Sequence, residues 1–414
     1  MSQQPSMQID TSIGVTAARG FHAGAAAVGV KKLTEKPDVG LIVCSVDAQA
    51  AAVFTTNKVC AAPVVVCREH LARRKTVRAV VANSGCANAC TGDQGLADAR
   101  AMAARAAAKI GCPTEAVLVA STGVIGRHLP MDKVNEGIDW AFSGLCAGAE
   151  ADLSFARSIM TTDTRPKQAA VRFPLRSRTV TVGGATKGVG MIAPNMATTL
   201  SFVTTDAPVA APLLQDILAR VADATYNCLT VDGHMSTNDT LVLLASGQAL
   251  DAGAAPIAAG TDEATAFEAA VFAVCDNLAR QIAADAEGGT KVIEVRVTGA
   301  ATDAEARAAA SAIANSPLVK TAFFGKDPNW GRIVSAAGYA GISSGPETMR
   351  LAMSGLVIFD RGTPVAADAA RLKAIMEQHD IDVHLDLGAG KGRARFLTCD
   401  FSYDYVKINA EYTT

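Results

Sequence analysis

Lys187-Gly-Val-Gly-Met-Ile-Ala-Pro-Asn-Met-Ala-Thr-Thr-Leu-Ser-Phe-Val-Thr-Thr-Asp206 lies near the middle of the chain. Just before it, Thr179-Val-Thr-Val182 is a β-branched strand candidate, and Leu200 to Val203 opens a second apolar run. Between them a Gly-rich turn containing Pro194 delivers two adjacent threonines, Thr198 and Thr199. Two strands and a tight connection can hold a hydroxyl in one place, as nucleophilic chemistry requires. The same residues also match a dinucleotide fingerprint: Gly188-Val-Gly190-Met-Ile-Ala193 follows a strand, and Asp206 ends the next. That fingerprint needs a crossover helix, about ten residues or more. Only nine residues separate Gly190 from Leu200, and Pro194 interrupts them. The spacing favours a β-turn-β connection over a nicotinamide or flavin site.

Outward from this stretch, Ala169 to Phe173 and Thr179 to Val182 read as a hairpin feeding it. Toward the N-terminus, Gly40 to Ser45, Ala51 to Thr55, Pro63 to Cys67 and Val77 to Ala82 are short apolar runs that read as strands. A helix is expected from about Gln94 to Ile110 with Gly111 as its C-terminal glycine. A strand at Val117 to Ala120 follows, then helices from Pro130 to about Phe142 and from Asp152 to Ile159. Past Asp206 come a helix over Pro212 to Thr225, a strand over Leu241 to Ala245 and a long helix over Asp262 to Ala284. After that, strand 292–297, helix 303–314, strand 318–324, helix 331–338, strand 350–358, helix 366–378 and strands 381–386 and 395–408 alternate. Residues 285–414 are therefore expected to form a smaller α+β domain packed on a larger one over 1–284.

Composition narrows the class. Of 414 residues, 50% are hydrophobic, enough for a sizeable core. Lys+Arg 38 against Asp+Glu 40 gives a net charge of −2, which argues against a nucleic-acid or anionic-membrane partner. No apolar run reaches the roughly eighteen residues of a membrane span, and the first residues lack a signal-peptide pattern; a cytoplasmic protein is expected. The 10 cysteines are scattered and mostly flanked by apolar residues, as buried free thiols are. Cys86-Ala-Asn-Ala-Cys90 has no second Cys/His pair at zinc spacing, and the 6 histidines form no ligand motif, so no metal is expected.

Several turns share a hydroxyl-rich composition: Ser121-Thr-Gly123, Thr161-Thr-Asp-Thr164, Ala197-Thr-Thr199, Ser236-Thr-Asn-Asp-Thr240 and Glu287-Gly-Gly-Thr-Lys291. Hydroxyls at turns commonly cap helices or close the turn itself. Five such turns without a Ser/His/Asp pattern suggest another chemistry. A threonine hydroxyl needs a base, and its own α-amine serves when the threonine begins a chain. That amine titrates at roughly 7.7–8.0, near working pH. An internal threonine reaches that state only if the bond before it is cut. Ala197–Thr198 is a plausible bond, because the Thr198 hydroxyl can attack the Ala197 carbonyl to give an ester that water hydrolyses.

The segment Lys187 to Leu200 resembles the self-cleavage site of the ornithine acetyltransferase family, the bifunctional glutamate N-acetyltransferases of arginine biosynthesis. Further matches span nearly the whole chain: Val53-Phe-Thr-Thr-Asn-Lys-Val59, Asn83-Ser-Gly-Cys-Ala-Asn-Ala-Cys-Thr-Gly92, Ser121-Thr-Gly-Val-Ile-Gly126, Ser236-Thr-Asn-Asp-Thr240, Gly325-Lys-Asp-Pro-Asn-Trp-Gly-Arg332 and Asn409-Ala-Glu-Tyr-Thr-Thr414. The resemblance implies that Thr198 is the nucleophile of both self-cleavage and acetyl transfer. It implies that Thr122 and Gly123 form the oxyanion hole, an effect of roughly 3 kcal/mol per donor. Thr161, Thr162, Lys187, Glu287, Asn409 and Thr414 match the family's substrate-contacting positions, with the choice between Thr161 and Thr162 open. Lys187 suits an amino-acid carboxylate and Glu287 an ammonium, although a surface lysine and a helix-end carboxylate are the plain readings. The chain departs from the family pattern at Thr199, Cys86, Gly289 and His234-Met235; Thr199 sets a second hydroxyl beside the nucleophile.

The expectation is thus an α/β (α+β) protein whose larger domain has an αββα layered fold, cut into an α chain, 1–197, and a β chain, 198–414. It would move acetyl from N2-acetylornithine to glutamate through an acetyl-Thr198 ester, in ping-pong order. No cofactor is implied; acetyl-CoA is a candidate second donor. The resemblance implies an α2β2 heterotetramer. The alternatives are an amide hydrolase or aminopeptidase of the same self-cleaving fold and a non-catalytic amino-acid-binding protein.

Overall fold

The computed structural model describes residues 7–31, 35–193, 199–251 and 253–411. Strands Lys167–Leu175 and Arg178–Lys187 form the expected hairpin, and Arg178–Lys187 pairs antiparallel with Leu200–Thr205, Lys187 opposite Leu200. A dinucleotide fold needs parallel strands at this point, so the glycine pattern at 188–193 belongs to a β-turn-β connection. Leu200–Thr205 runs parallel to Thr240–Ala245, the crossover being carried by helix Ala211–Ala224. Thr240–Ala245 in turn pairs with strand Val39–Phe54. Among the described residues these strands belong to one nine-stranded sheet that continues through Thr76–Cys86 to Val117–Val124.

Val39–Phe54 joins two parts of that sheet. Its first half pairs with Phe21–Ala26 and its second with Thr240–Ala245, and its register against Thr76–Cys86 shifts between Val43 and Ala48. The sequence suggested two short strands here, because Asp47 and Gln49 interrupt the apolar run; the backbone pairs across them. Helices cover both faces. Phe202, Val242 and Leu244 face the core under Gly92–Ile110, Met131–Ser143 and Ala149–Ser158, where Phe155 meets Phe202 edge-on at 5.6 Å. Val203, Leu241 and Leu243 face the opposite core, under Ala211–Ala224 and Asp262–Ala283. Burial on both faces explains why Leu241 to Ala245 is apolar throughout and does not alternate. The layered α/β class expected from the sequence is the class observed.

Four expected strands are corrected. Pro63 to Cys67 lies in helix Ala62–Arg73, where the proline occupies the first turn and Val64, Val66 and Cys67 are buried. A proline lacks an N–H that the first turn would not use anyway, and packing overrides the strand preference of valine. Residues 318–324 form helix Pro317–Phe324, started by Ser316, whose hydroxyl accepts the Val319 N–H. The last strand ends at Cys399, and Tyr403–Glu411 is helical. Strand 350–358 is a hairpin, Arg350–Met353 with Leu356–Asp360.

From Val292 onward a second sheet, six-stranded among the described residues, is built around Val292–Ala300, which is parallel to Asp380–Asp386 and antiparallel to Gly392–Cys399. Helices Asp303–Asn315 and Trp330–Gly338 pack on its core. Leu397 and Cys399 reach into the core beneath Asp262–Ala283, which ties this sheet to the first. No helix among the described residues is long and apolar enough to cross a membrane.

Candidate active site

Thr122 and Gly123 lie at the end of strand Val117–Val124, where its parallel pairing with Thr76–Cys86 becomes irregular and Cys86 faces both Thr122 and Val124. Gly123 has φ +131°, and a Cβ there would sit 2.6 Å from Cys86 N and 2.7 Å from Gly85 Cα. Only glycine fits between the two converging backbones. Side chains from two of the hydroxyl-rich turns, together with Asn83 of strand Thr76–Cys86, lock this corner. Asn83 Nδ2 donates to Cys86 O at 2.9 Å, Ser121 Oγ donates to Asn83 Oδ1 at 2.6 Å, and Asn238 Nδ2 donates to Ala87 O at 2.6 Å and Ser121 O at 2.8 Å.

Lys187, the last residue of Arg178–Lys187, is buried with 4% exposure, not spread on the surface. Its Nζ donates to Thr122 Oγ1 at 3.2 Å. Burial pushes its ammonium down from the ordinary lysine range, and the Asp163 carboxylate opposes that shift. Across the cavity, Glu287 Oε1 accepts from Thr162 Oγ1 at 2.7 Å, and its Oε2 accepts from Asn409 Nδ2 at 3.0 Å. The Glu287 N–H donates to Val189 O at 2.8 Å, and a Cβ on Gly190 would sit 2.6 Å from Glu287 Cδ. The turn after Lys187 therefore needs glycine to let this carboxylate in. Thr122, Gly123, Thr161, Thr162, Lys187, Glu287 and Asn409 all line one cavity of about 270 Å³. Both Thr161 and Thr162 reach its wall; the hydrogen bond to Glu287 is made by Thr162.

Ala197, Thr198 and Thr414 lie outside the described residues. The chain on either side of 194–198 is held firmly. Asp232 accepts the N–H groups of Met191 at 2.7 Å and Ile192 at 2.9 Å. Asp239 Oδ1 accepts the Thr199 N–H at 3.1 Å, and Thr199 O accepts from Thr240 N at 2.9 Å. Asp239 is buried, and burial pushes its carboxyl well above the carboxylate range, against the pull of the Thr199 N–H and the Lys187 charge. Sequence reasoning missed Asp163, Asp232, Asn238 and Asp239 as parts of this site. Their signal was weak, since polar residues in turns are common and nothing in their spacing tells which of them point inward.

Chemically, the cavity brings together the Thr122 hydroxyl, Gly123, the Lys187 ammonium and the Glu287 carboxylate. That arrangement suits a small zwitterionic amino acid and the oxyanion of an acyl intermediate. Among the described residues no group of three or more His, Cys, Asp or Glu is placed to hold a metal ion.

A model of the ArgJ family matches residues 22–414. The arginine biosynthesis bifunctional protein ArgJ of Symbiobacterium thermophilum is 48% identical over 402 residues, covering 97% of this chain and 98% of its own. The protein of the same name from Thermosynechococcus vestitus is 44% identical over 417 residues, with 97% and 98% covered. The ornithine acetyltransferase of Mycobacterium tuberculosis, solved in complex with ornithine, is 38% identical, covers 47% of this chain and 100% of its own, and superposes with a TM-score of 0.43.

Proposed function

The chain belongs to the ArgJ family, and from that membership we propose that it is a self-processing acetyltransferase of arginine biosynthesis, acting in the cytoplasm. The Thr198 hydroxyl attacks the Ala197 carbonyl, the peptide nitrogen leaves as an amine, and water hydrolyses the resulting ester. This frees an α chain, 1–197, and a β chain that begins at Thr198. The new α-amine then takes the hydroxyl proton, and Thr198 attacks the acetyl carbonyl of N2-acetylornithine. Thr122 Oγ–H and Gly123 N–H donate to the oxyanion, and Lys187 Nζ, bonded to Thr122 Oγ1, leaves the hydroxyl hydrogen free to point at it. Ornithine departs with the proton, and the glutamate amine takes the acetyl group by the reverse path. Glu287 pairs with the substrate ammonium and, with Thr162 and Asn409, sets its position. Thr161 and Thr414 complete the substrate contacts. Acetyl-CoA is the second acetyl donor, and the cleaved pair assembles as an α2β2 heterotetramer.

The observation that carries this reading is the single cavity that gathers Thr122, Gly123, Thr162, Lys187, Glu287 and Asn409 from distant parts of the chain. Intact mass spectrometry tests it. The purified protein should give two fragments, the second starting at Thr198 and gaining one acetyl group on addition of acetylornithine. Thr198→Ala should remain one inactive polypeptide. Transfer to glutamate separates this activity from hydrolysis, which would release acetate whether or not glutamate is present. An unbroken wild-type chain that still turns over acetylornithine overturns the reading.

A further inference from the structure

The side chain of Asp163 is fully buried beside the cavity, and three hydrogen-bond donors converge on its carboxylate. Its Oδ2 accepts the Thr161 N–H at 3.0 Å. Its Oδ1 accepts the Gly188 N–H at 2.9 Å and Lys167 Nζ at 2.7 Å. Lys167 also donates to Asp285 Oδ2 at 2.6 Å, two residues before Glu287, and Asp285 holds the Thr164 N–H at 3.1 Å and the Thr164 hydroxyl. The side chains of Asp163 and Lys167 are 0% exposed and that of Asp285 is 4% exposed. One buried ionic group thus joins the Thr161–Thr162 wall, the turn after Lys187 and the segment that carries Glu287. Buried ion pairs add little net stability compared with apolar residues of the same size, so this group needs a reason beyond holding the fold.

We propose that Asp163 is a positioning residue for acetyl transfer: its carboxylate pins the Thr161 loop and the Lys187–Gly188 turn to one point and supplies the counter-charge for the Lys187 ammonium. The inference rests on the acetyl-transfer reading above. The charges of Asp163, Glu287 and Asp239 favour the Lys187 ammonium and those of Lys167 and Lys31 oppose it, and the Gly188 N–H that Asp163 holds belongs to the residue next to Lys187. Asp163 is the first of the groups that offset burial.

The test is the pH profile of kcat/KM for acetylornithine in wild-type protein, Asp163→Asn and Asp163→Glu. Asp163→Asn keeps an oxygen for a hydrogen bond and removes the charge. Its alkaline limb should move to lower pH by about one unit, and its KM should rise about tenfold, more than kcat falls. Asp163→Glu keeps the charge but displaces the oxygens, so its limb should stay at the wild-type pH while KM rises. A purely structural role would lower the amount of active enzyme without moving the limb. If Asp163→Asn does not accumulate folded, Asp163→Glu carries the test, and a wild-type KM in that variant overturns the proposal. An unshifted limb in folded Asp163→Asn also overturns it. Wild-type protein that fails to transfer acetyl in the same assay would instead remove the reading on which the inference rests.

Discussion

Gly123 shows how little freedom the cavity wall allows. With φ +131° and the Gly85–Cys86 backbone within 3 Å of any Cβ, Gly123→Ala must push the strand end outward. The N–H proposed to meet the oxyanion moves with it. Loss of one such donor costs about 10²–10³ in rate, so kcat for acetyl transfer in Gly123→Ala should fall by about that factor. Steady-state kinetics on the cleaved protein checks this, with self-cleavage followed separately on a denaturing gel. At the same scale, Thr199 bears on a departure visible in the sequence. Its backbone is bonded on both sides, to Asp239 and Thr240, so the neighbour of Thr198 is built into the strand pairing. The residues that line the cavity were legible through the motifs that carry the family resemblance. The burial of Lys187 was not, because nothing in a lysine's neighbours along the chain says whether strands from elsewhere cover it.

The C-terminal helix Tyr403–Glu411 is the clearest case at the scale of elements. None of its side chains is buried, yet it carries Asn409 to Glu287. Its attachments include a stack of Tyr405 on Phe401 at 4.7 Å and an edge contact of Tyr403 with Phe324 at 5.4 Å. Deleting residues 403–414 should therefore shift the melting temperature by only a few degrees, as loss of a little-buried element does. KM for acetylornithine should rise about tenfold or more, since a hydrogen bond to a charged group is lost. Calorimetry and kinetics on the same preparation would show whether the two effects separate. This helix was read as the end of a strand because Phe401 to Val406 alternates aromatic and polar residues. Its partners are contributed by Phe324 and Glu287, far away in the chain, and local periodicity carries no trace of them. The helices whose signals are local, such as Gly92–Ile110 with Gly111 at φ 73°, were legible nearly to the residue.

For the whole molecule, the buried Asp163–Lys167–Asp285 group sets an acid limit. Burial would raise the Asp163 carboxyl, but the Lys167 and Lys187 charges hold it at about 2, against roughly 3.9 for a free aspartate. The folded value lies below the unfolded one, so the associated stability is complete above pH ~4 and is lost as pH falls toward 2; it amounts to on the order of 2 kcal/mol. The uncut Thr198→Ala chain is the right material, because a single polypeptide can refold. Its denaturation midpoint should fall steeply between pH ~4 and 2. Asp163→Asn in that background should start lower and fall less; an equal acid slope in both would contradict this account.

From its residues alone, the chain announced a mixture of strands and helices, a short connection between the strand ending at Lys187 and the one starting at Leu200, and a set of polar turns; its layered α/β class came with the family resemblance. Periodicity, turn formers and side-chain chemistry are local properties, and each can be read within a few residues. The meeting of those turns is another matter. Ser121 lies 117 residues from Asn238 in the chain, and Thr162 lies 125 from Glu287, yet each pair is in hydrogen-bond contact. Such contacts arise from how strands pair and which side chains end up buried. They are consequences of close packing across the whole chain, which no short window of sequence encodes.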